Sequence, residues 1–103
     1  MRGRGRRRRE GRRGRFPKPV NLGSIPTIED MTPNPDKGLK PVTLNTAELE
    51  ALRLVDLEGL TQKEAGKCMG ISRGTVWRLL QSARRKTAKA LTEGRPIQII
   101  SSN

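Results

Sequence analysis

The chain has 103 residues, 22 Lys plus Arg against 10 Asp plus Glu, no His, a single Cys and 32% apolar residues, for a formal net charge of +12. Such a composition holds one small basic domain, and part of the chain cannot bury a core, because low hydrophobicity with high charge does not offset the entropy of ordering. Without His there is no Ser-His-Asp or Cys-His pair, and Cys68 alone makes neither a thiolate zinc site nor an internal disulfide, so no enzyme, metal or other cofactor is expected.

Residues 1–15 hold nine Arg and one Glu, a net of +8 that leaves +4 for the other 88 residues. With no apolar periodicity and mutually repelling guanidiniums, they are expected to form a basic arm that is disordered when free. Residues 16–41 carry six of the seven Pro among Gly and Asn, the composition of an extended linker with at most short strand-like pieces. Periodicity begins at Val42 and ends near Ile100, which makes 42–100 the folded domain.

Asn45-Thr-Ala-Glu48 has the form of a capping box, and Leu49, Ala51, Leu52, Leu54 and Val55 follow at helical spacing, predicting a first helix over 46–58. Thr61-Gln-Lys-Glu64 repeats the box and Gly70 supplies a left-handed stop, giving a second helix of about two turns that ends after Met69. Cys68 within it reads as a small buried hydrophobe rather than a redox sensor. Ser72 caps a third helix in which Val76, Leu79, Leu80, Ala83, Thr87 and Leu91 keep one stripe for about five turns, until Gly94. Pro96-Ile-Gln-Ile-Ile100 reads as a short strand, paired either with Lys40 to Leu44 or with the same strand of a second chain. The expected fold class is all-α: a small three-helix domain with a short C-terminal strand and a disordered Arg/Gly-rich N-terminal arm.

The second and third helices, with Gly70-Ile71-Ser72 between them, fit a helix-turn-helix. Ala65 and Gly66 are small where two backbones approach, Gly70 turns the chain, and Ile71, Val76 and Leu79 fill the angle. With Val76 and Leu80 facing inward, Gly74, Arg78, Gln81 and Arg85 point away from the core, flanked by Arg73 and Trp77. Arg forks onto guanine and Gln pairs with adenine, so Arg73, Gly74, Trp77, Arg78 and Gln81 are candidate base readers, with a recognition helix at about 73–91 in the major groove. Ser72, Thr75, Arg84, Arg85 and Lys86, together with Arg6, Arg7, Arg8, Arg9, Arg12 and Arg13 of the arm, are candidate phosphate contacts. Trp77 suits stacking on a base as well as it suits packing under the arm or against the first helix. The carboxylates Glu48, Glu50, Asp56 and Glu58 of the first helix read as a solvated structural face, since no second type of catalytic group accompanies them.

The run from Glu48 through Glu-Ala-Leu-Arg-Leu to Leu60, then Glu64-Ala65, Met69 to Arg73, Thr75, Arg78, Ala83 to Lys86, Ala90-Leu91 and Gly94, closely resembles uncharacterised protein family 0251 (domain of unknown function 134). The resemblance covers about residues 14–100. It implies a predicted DNA-binding protein whose helix-turn-helix is similar to the promoter-reading region 4 of sigma factors, with no substrate or cofactor attached. The chain departs from the family pattern in having Arg-Gly repeats where many relatives carry Cys near the start, and Gly66 where Ala is usual.

Double-stranded DNA is thus the expected partner, bound by a transcriptional regulator that forms a homodimer through the end of the third helix and the strand Ile97 to Ile100. The alternative is an RNA-binding or architectural protein in which the Arg/Gly arm dominates, although Phe16 and Trp77 are the only aromatics available as stacking platforms. A third reading has the acidic first helix docking on transcription machinery. No apolar run approaches the roughly 18 residues of a membrane span and the start lacks a signal-peptide block, so the expectation is a cytoplasmic, nucleoid-associated protein with no membrane partner.

Overall fold

The computed structural model describes residues 20–23 and 28–101. The basic arm expected over 1–15, with its six candidate phosphate contacts, lies outside the described residues. Each predicted helix forms where its cap places it. Asn45 Oδ1 accepts from the Glu48 N–H at 2.7 Å, and Glu48 Oε1 accepts from the Asn45 N–H at 2.9 Å, which opens α1 (Thr46–Leu52). The same reciprocal pair between Thr61 and Glu64, at 3.1 and 2.8 Å, opens α2 (Gln62–Met69), and α2 stops on Gly70 with φ +73°. Ser72 Oγ accepts from the Thr75 N–H at 3.1 Å to open α3 (Arg73–Glu93), which ends on a left-handed Gly94.

One local feature has no counterpart in the sequence pattern. α1 continues into a π-helical segment, Arg53–Leu57, closed by the Glu58 N–H donating to the Arg53 carbonyl at 2.9 Å. A π turn takes more residues than an α turn. Leu57 is therefore carried round to solvent, 76% exposed, while Leu54 stays buried.

The fold is not all-α. About 53% of the described residues are helical and 13% lie in strands, and the strands form one mixed sheet in the order β1-β3-β2, with β1 at Asp30–Met31, β2 at Val42–Asn45 and β3 at Ile97–Ile100. β3 runs parallel to β2, from Val42 opposite Ile97 to Asn45 opposite Ile100, and antiparallel to β1, with Asp30 opposite Gln98. A parallel pair needs a long crossover, and here the three helices together supply it. β3 and its pairing with the segment at Lys40 to Leu44 stand as the sequence predicts, whereas β1 does not show in it, because two residues cannot display alternation and it sits in the Pro-rich stretch read as linker. Of the two partners foreseen for Pro96 to Ile100, the segment within the chain is the one used. With β1 on its other side, β3 has both edges occupied and offers neither to a second copy.

Around Ala51, Leu54, Ala65, Met69 and Val76 pack Val20, Val55, Leu60, Ile71 and Leu79, while Leu44, Ala47, Leu80, Ala83 and Ala90 extend the buried set along α3. α3 packs on α1, α2 and β2. Near its end the inward side turns toward β2, so Ala83 and Ala90 are buried and Leu91, placed by the sequence on the apolar stripe, is 77% exposed. Cys68 is exposed as well, not buried as expected, because Ala65, Gly66 and Met69 occupy the inner face of α2.

Gly66 is where α2 meets the turn that follows it. Its carbonyl accepts from the Ile71 N–H at 3.0 Å, and a Cβ at Gly66 would stand 2.8 Å from the Ile71 carbonyl oxygen. Gly66→Val is accordingly expected to lower stability by about 1–3 kcal/mol through overpacking. In a thermal melt each kcal/mol appears as a fall of about 4–8 °C in Tm for a domain of this size. An unchanged Tm would refute the close approach.

Candidate nucleic-acid interface

The outward side of α3 carries Arg73, Gly74, Trp77, Arg78, Gln81 and Arg85, all exposed. All five candidate base readers therefore stand on one continuous face. Trp77 is 52% exposed, leaving half of its surface open to a partner. With Arg78, Gln81, Ser82, Arg84, Arg85 and Lys86 it lines a shallow groove along α3. A second groove at the start of α3 is lined by Lys63, Lys67, Gly70, Ser72 and Arg73, so cations flank the turn on both sides. Ser72 and Thr75, foreseen as phosphate contacts, are hydrogen-bonded to each other at 2.9 Å as part of the cap.

The carboxylates of α1 behave differently from the solvated face expected of them. Glu48 and Glu50 are buried, at 3% and 4% exposure. Glu48 accepts from the Ser82 hydroxyl and, with both oxygens at 3.0 Å, from Lys86 Nζ. Glu50 is forked by Arg53 at 2.9 Å to each oxygen. Asp56 holds Arg84 at 2.7 and 3.0 Å. Two candidate phosphate contacts, Arg84 and Lys86, are thus engaged within the domain, whereas Arg73, Arg78 and Arg85 pair with no acid among the described residues. Of these links, Glu50 with Arg53 was readable as an i,i+3 pair. Glu48 with Ser82 and Lys86, and Asp56 with Arg84, join residues 28 to 38 positions apart and leave no local signal.

Burial alone would raise the Glu48 pKa, but the Ser82 hydroxyl, the Asn45 N–H and the Lys86 ammonium outweigh it and hold the carboxyl below its ordinary value. The same balance, struck by Arg53 and the Gly23 N–H, lowers Glu50.

Residues 20–23, read from composition as linker, are anchored. The Asn21 N–H donates to the Met69 carbonyl at 2.9 Å, the Gly23 N–H donates to Glu50 Oε2 at 2.6 Å, and Val20 packs on the core. This tether brings the chain beside the turn between α2 and α3. The donors are backbone groups, which side-chain patterns do not reveal. Among the described residues, no helix is long and apolar enough to cross a membrane, and no three His, Cys, Asp or Glu side chains are grouped as a metal site.

The family model described as Protein of unknown function DUF134 matches residues 2–102. The chain is 48% identical over 87 residues to a UPF0251 protein of Archaeoglobus fulgidus, covering 84% of this chain and 83% of that one. To a UPF0251 protein of Pyrococcus horikoshii it is 52% identical over 88 residues, covering 84% and 74%, and to one of Methanosarcina acetivorans 45% identical over 93 residues, covering 88% and 83%. No solved structure matches the chain.

Because Glu48 is held below its ordinary value of 4.5, its contribution to stability is complete above that pH and is lost as pH falls toward the folded-state value. Chemical unfolding followed from pH 7 to pH 3 should show that decline. Glu48→Gln should flatten it and lower stability at pH 7 by about 2–3 kcal/mol, less than for an enclosed pair because Lys86 is 36% exposed. Equal pH dependence in the two proteins would remove Glu48 from this role.

Proposed function

The chain belongs to the DUF134 family, and we propose that it is a sequence-specific double-stranded DNA-binding protein, a transcriptional regulator whose helix-turn-helix is α2, Gly70 to Ser72 and α3. The observation that carries this reading is the sorting of charge on α3. Glu48 of α1 takes up Lys86 and Asp56 of the π-helical segment takes up Arg84 at the surface, and among the described residues the outward face is left with the guanidiniums of Arg73, Arg78 and Arg85, paired with no acid, and the amide of Gln81. On a slim helix, a guanidinium fork of donors fits the two acceptors of guanine, and an amide that both donates and accepts fits adenine, on their major-groove edges. Gly74 keeps the first exposed turn narrow enough to enter. Arg84 and Lys86 have a positioning role in this reading, holding α3 on α1, and phosphate contact falls to Arg73, Arg85 and the arm. Burial of Glu48 and Glu50 leaves fewer acids on the first helix for docking on transcription machinery, which supports duplex DNA over that reading.

Selection of bound sequences from random duplexes should return a defined site. On that site Arg78→Ala or Gln81→Ala is expected to lose about 1–3 kcal/mol and relax the choice at one base pair, with little change on random DNA. Deleting residues 2–15 should weaken cognate and random duplex alike, and flatten the salt dependence of affinity by about 0.9 in slope for each arginine on a phosphate. If structured RNA competes better than any duplex, or if Arg78 and Gln81 can each be removed with equal loss on all sequences, the protein is an RNA-binding or architectural one and α3 is a scaffold.

A further inference from the structure

Trp77 stands beside Arg78 and Gln81 on the exposed face of α3, and the packing of the domain does not explain it. Val76 and Leu80, which fill the core at this level, are fully buried, whereas Trp77 is 52% exposed and its indole N–H donates to no other described residue. Its surroundings are polar: the groove it lines is otherwise made of Arg78, Gln81, Ser82, Arg84, Arg85 and Lys86. An indole held half in water among cations forfeits the free energy that its burial would bring. The side chain is thus suited to a contact that only a partner completes.

The chemistry of that contact follows from the groove α3 would enter. Phosphate calls for charge, which an indole lacks. Stacking calls for an open base face, and in a duplex those faces are covered by neighbouring bases, so a helix in the major groove meets base edges alone. Of the four edges, thymine's carries an apolar group, its C5 methyl, next to the O4 acceptor. The indole offers the matching pair, an apolar ring and one donor. We propose, resting on the duplex-binding reading above, that Trp77 determines specificity by packing on the C5 methyl of a thymine in the major groove, beside the base pairs read by Arg78 and Gln81. The contact discriminates by a methyl group, so cytosine is disfavoured at that position and 5-methylcytosine is partly accepted.

The test uses the full chain on its selected duplex, with each thymine of the site replaced in turn by deoxyuridine, which lacks only the methyl. One replacement should weaken binding about fourfold, the worth of one buried methyl. At that position a C·G pair should bind more weakly still, and methylating its cytosine at C5 should recover about fourfold. Trp77→Ala should bind the thymine and uracil duplexes alike, while Trp77→Phe, which keeps an apolar ring, should retain the preference. The uracil comparison on the native chain involves no substitution and so no effect on folding. The proposal is overturned if every uracil replacement is silent, or if Trp77→Ala stays as sensitive to the methyl as the native chain. In both of those cases the loss on Arg78→Ala or Gln81→Ala still stands for the reading by α3. Tighter binding to single strands than to duplex, lost on Trp77→Ala, would make the indole a stacking platform and overturn both readings, as would failure to select any duplex site.

Discussion

A single buried carboxylate links what this small domain has to hold together. Glu48 closes the cap that starts α1, receives the Ser82 hydroxyl from the middle of α3, and neutralises Lys86 one turn further on. The interior it serves is poor in large side chains: of its buried hydrophobic residues, five are alanines. Alanines let α1 and α3 approach closely but contribute little transfer free energy each. Polar links between the two helices then have a larger share in fixing their relative position. Because every group on Glu48 is satisfied, that share is gained without an orphaned charge.

The division of α3 into two sides follows from the same arrangement. Glu48 of α1 takes up Lys86 and Asp56 of the π-helical segment takes up Arg84, and Arg73, Arg78 and Arg85, which they do not reach, stand outward. Sequence pattern alone could identify which residues of α3 face out, since that depends only on 100° per residue and on Val76 and Leu80 being apolar. It could not sort the cations into engaged and free ones. Arg84 and Arg85 are adjacent and chemically identical, and although helical geometry turns them about 100° apart, only the position of Asp56 engages one of them.

What was legible was local. Both capping boxes, the Ser72 cap and the glycine stops at Gly70 and Gly94 stand within a few residues of where the pattern put them, because caps are set by contacts three or four residues long. What was illegible was either nonlocal or carried by backbone. The strand at Ile97–Ile100 and its β2 partner were readable, but β1, two residues in a Pro-rich stretch, was not, and so neither was a three-stranded sheet that makes the domain mixed rather than all-α. The tether at Asn21 uses a main-chain N–H. The π-helical segment Arg53–Leu57 replaces an α turn that the run of apolar residues would have supported equally well. Leu91 and Cys68 were assigned inward by character, while the packing of small neighbours, Ala90 and Gly66, decided otherwise.

The position of β3 in the sheet has a consequence for how the chain folds. β1 and β2 do not pair with each other; each pairs only with β3, which is the last element in chain order and lies between them. During synthesis the two earlier strands emerge with no partner, and the three helices can assemble before any of the sheet exists. Strand pairing across such a sequence separation is slow relative to helix formation, since the loop must close before its contacts are made. Closing the sheet therefore requires the two ends of the whole helical region to come together, so its pairing depends on how the helices pack.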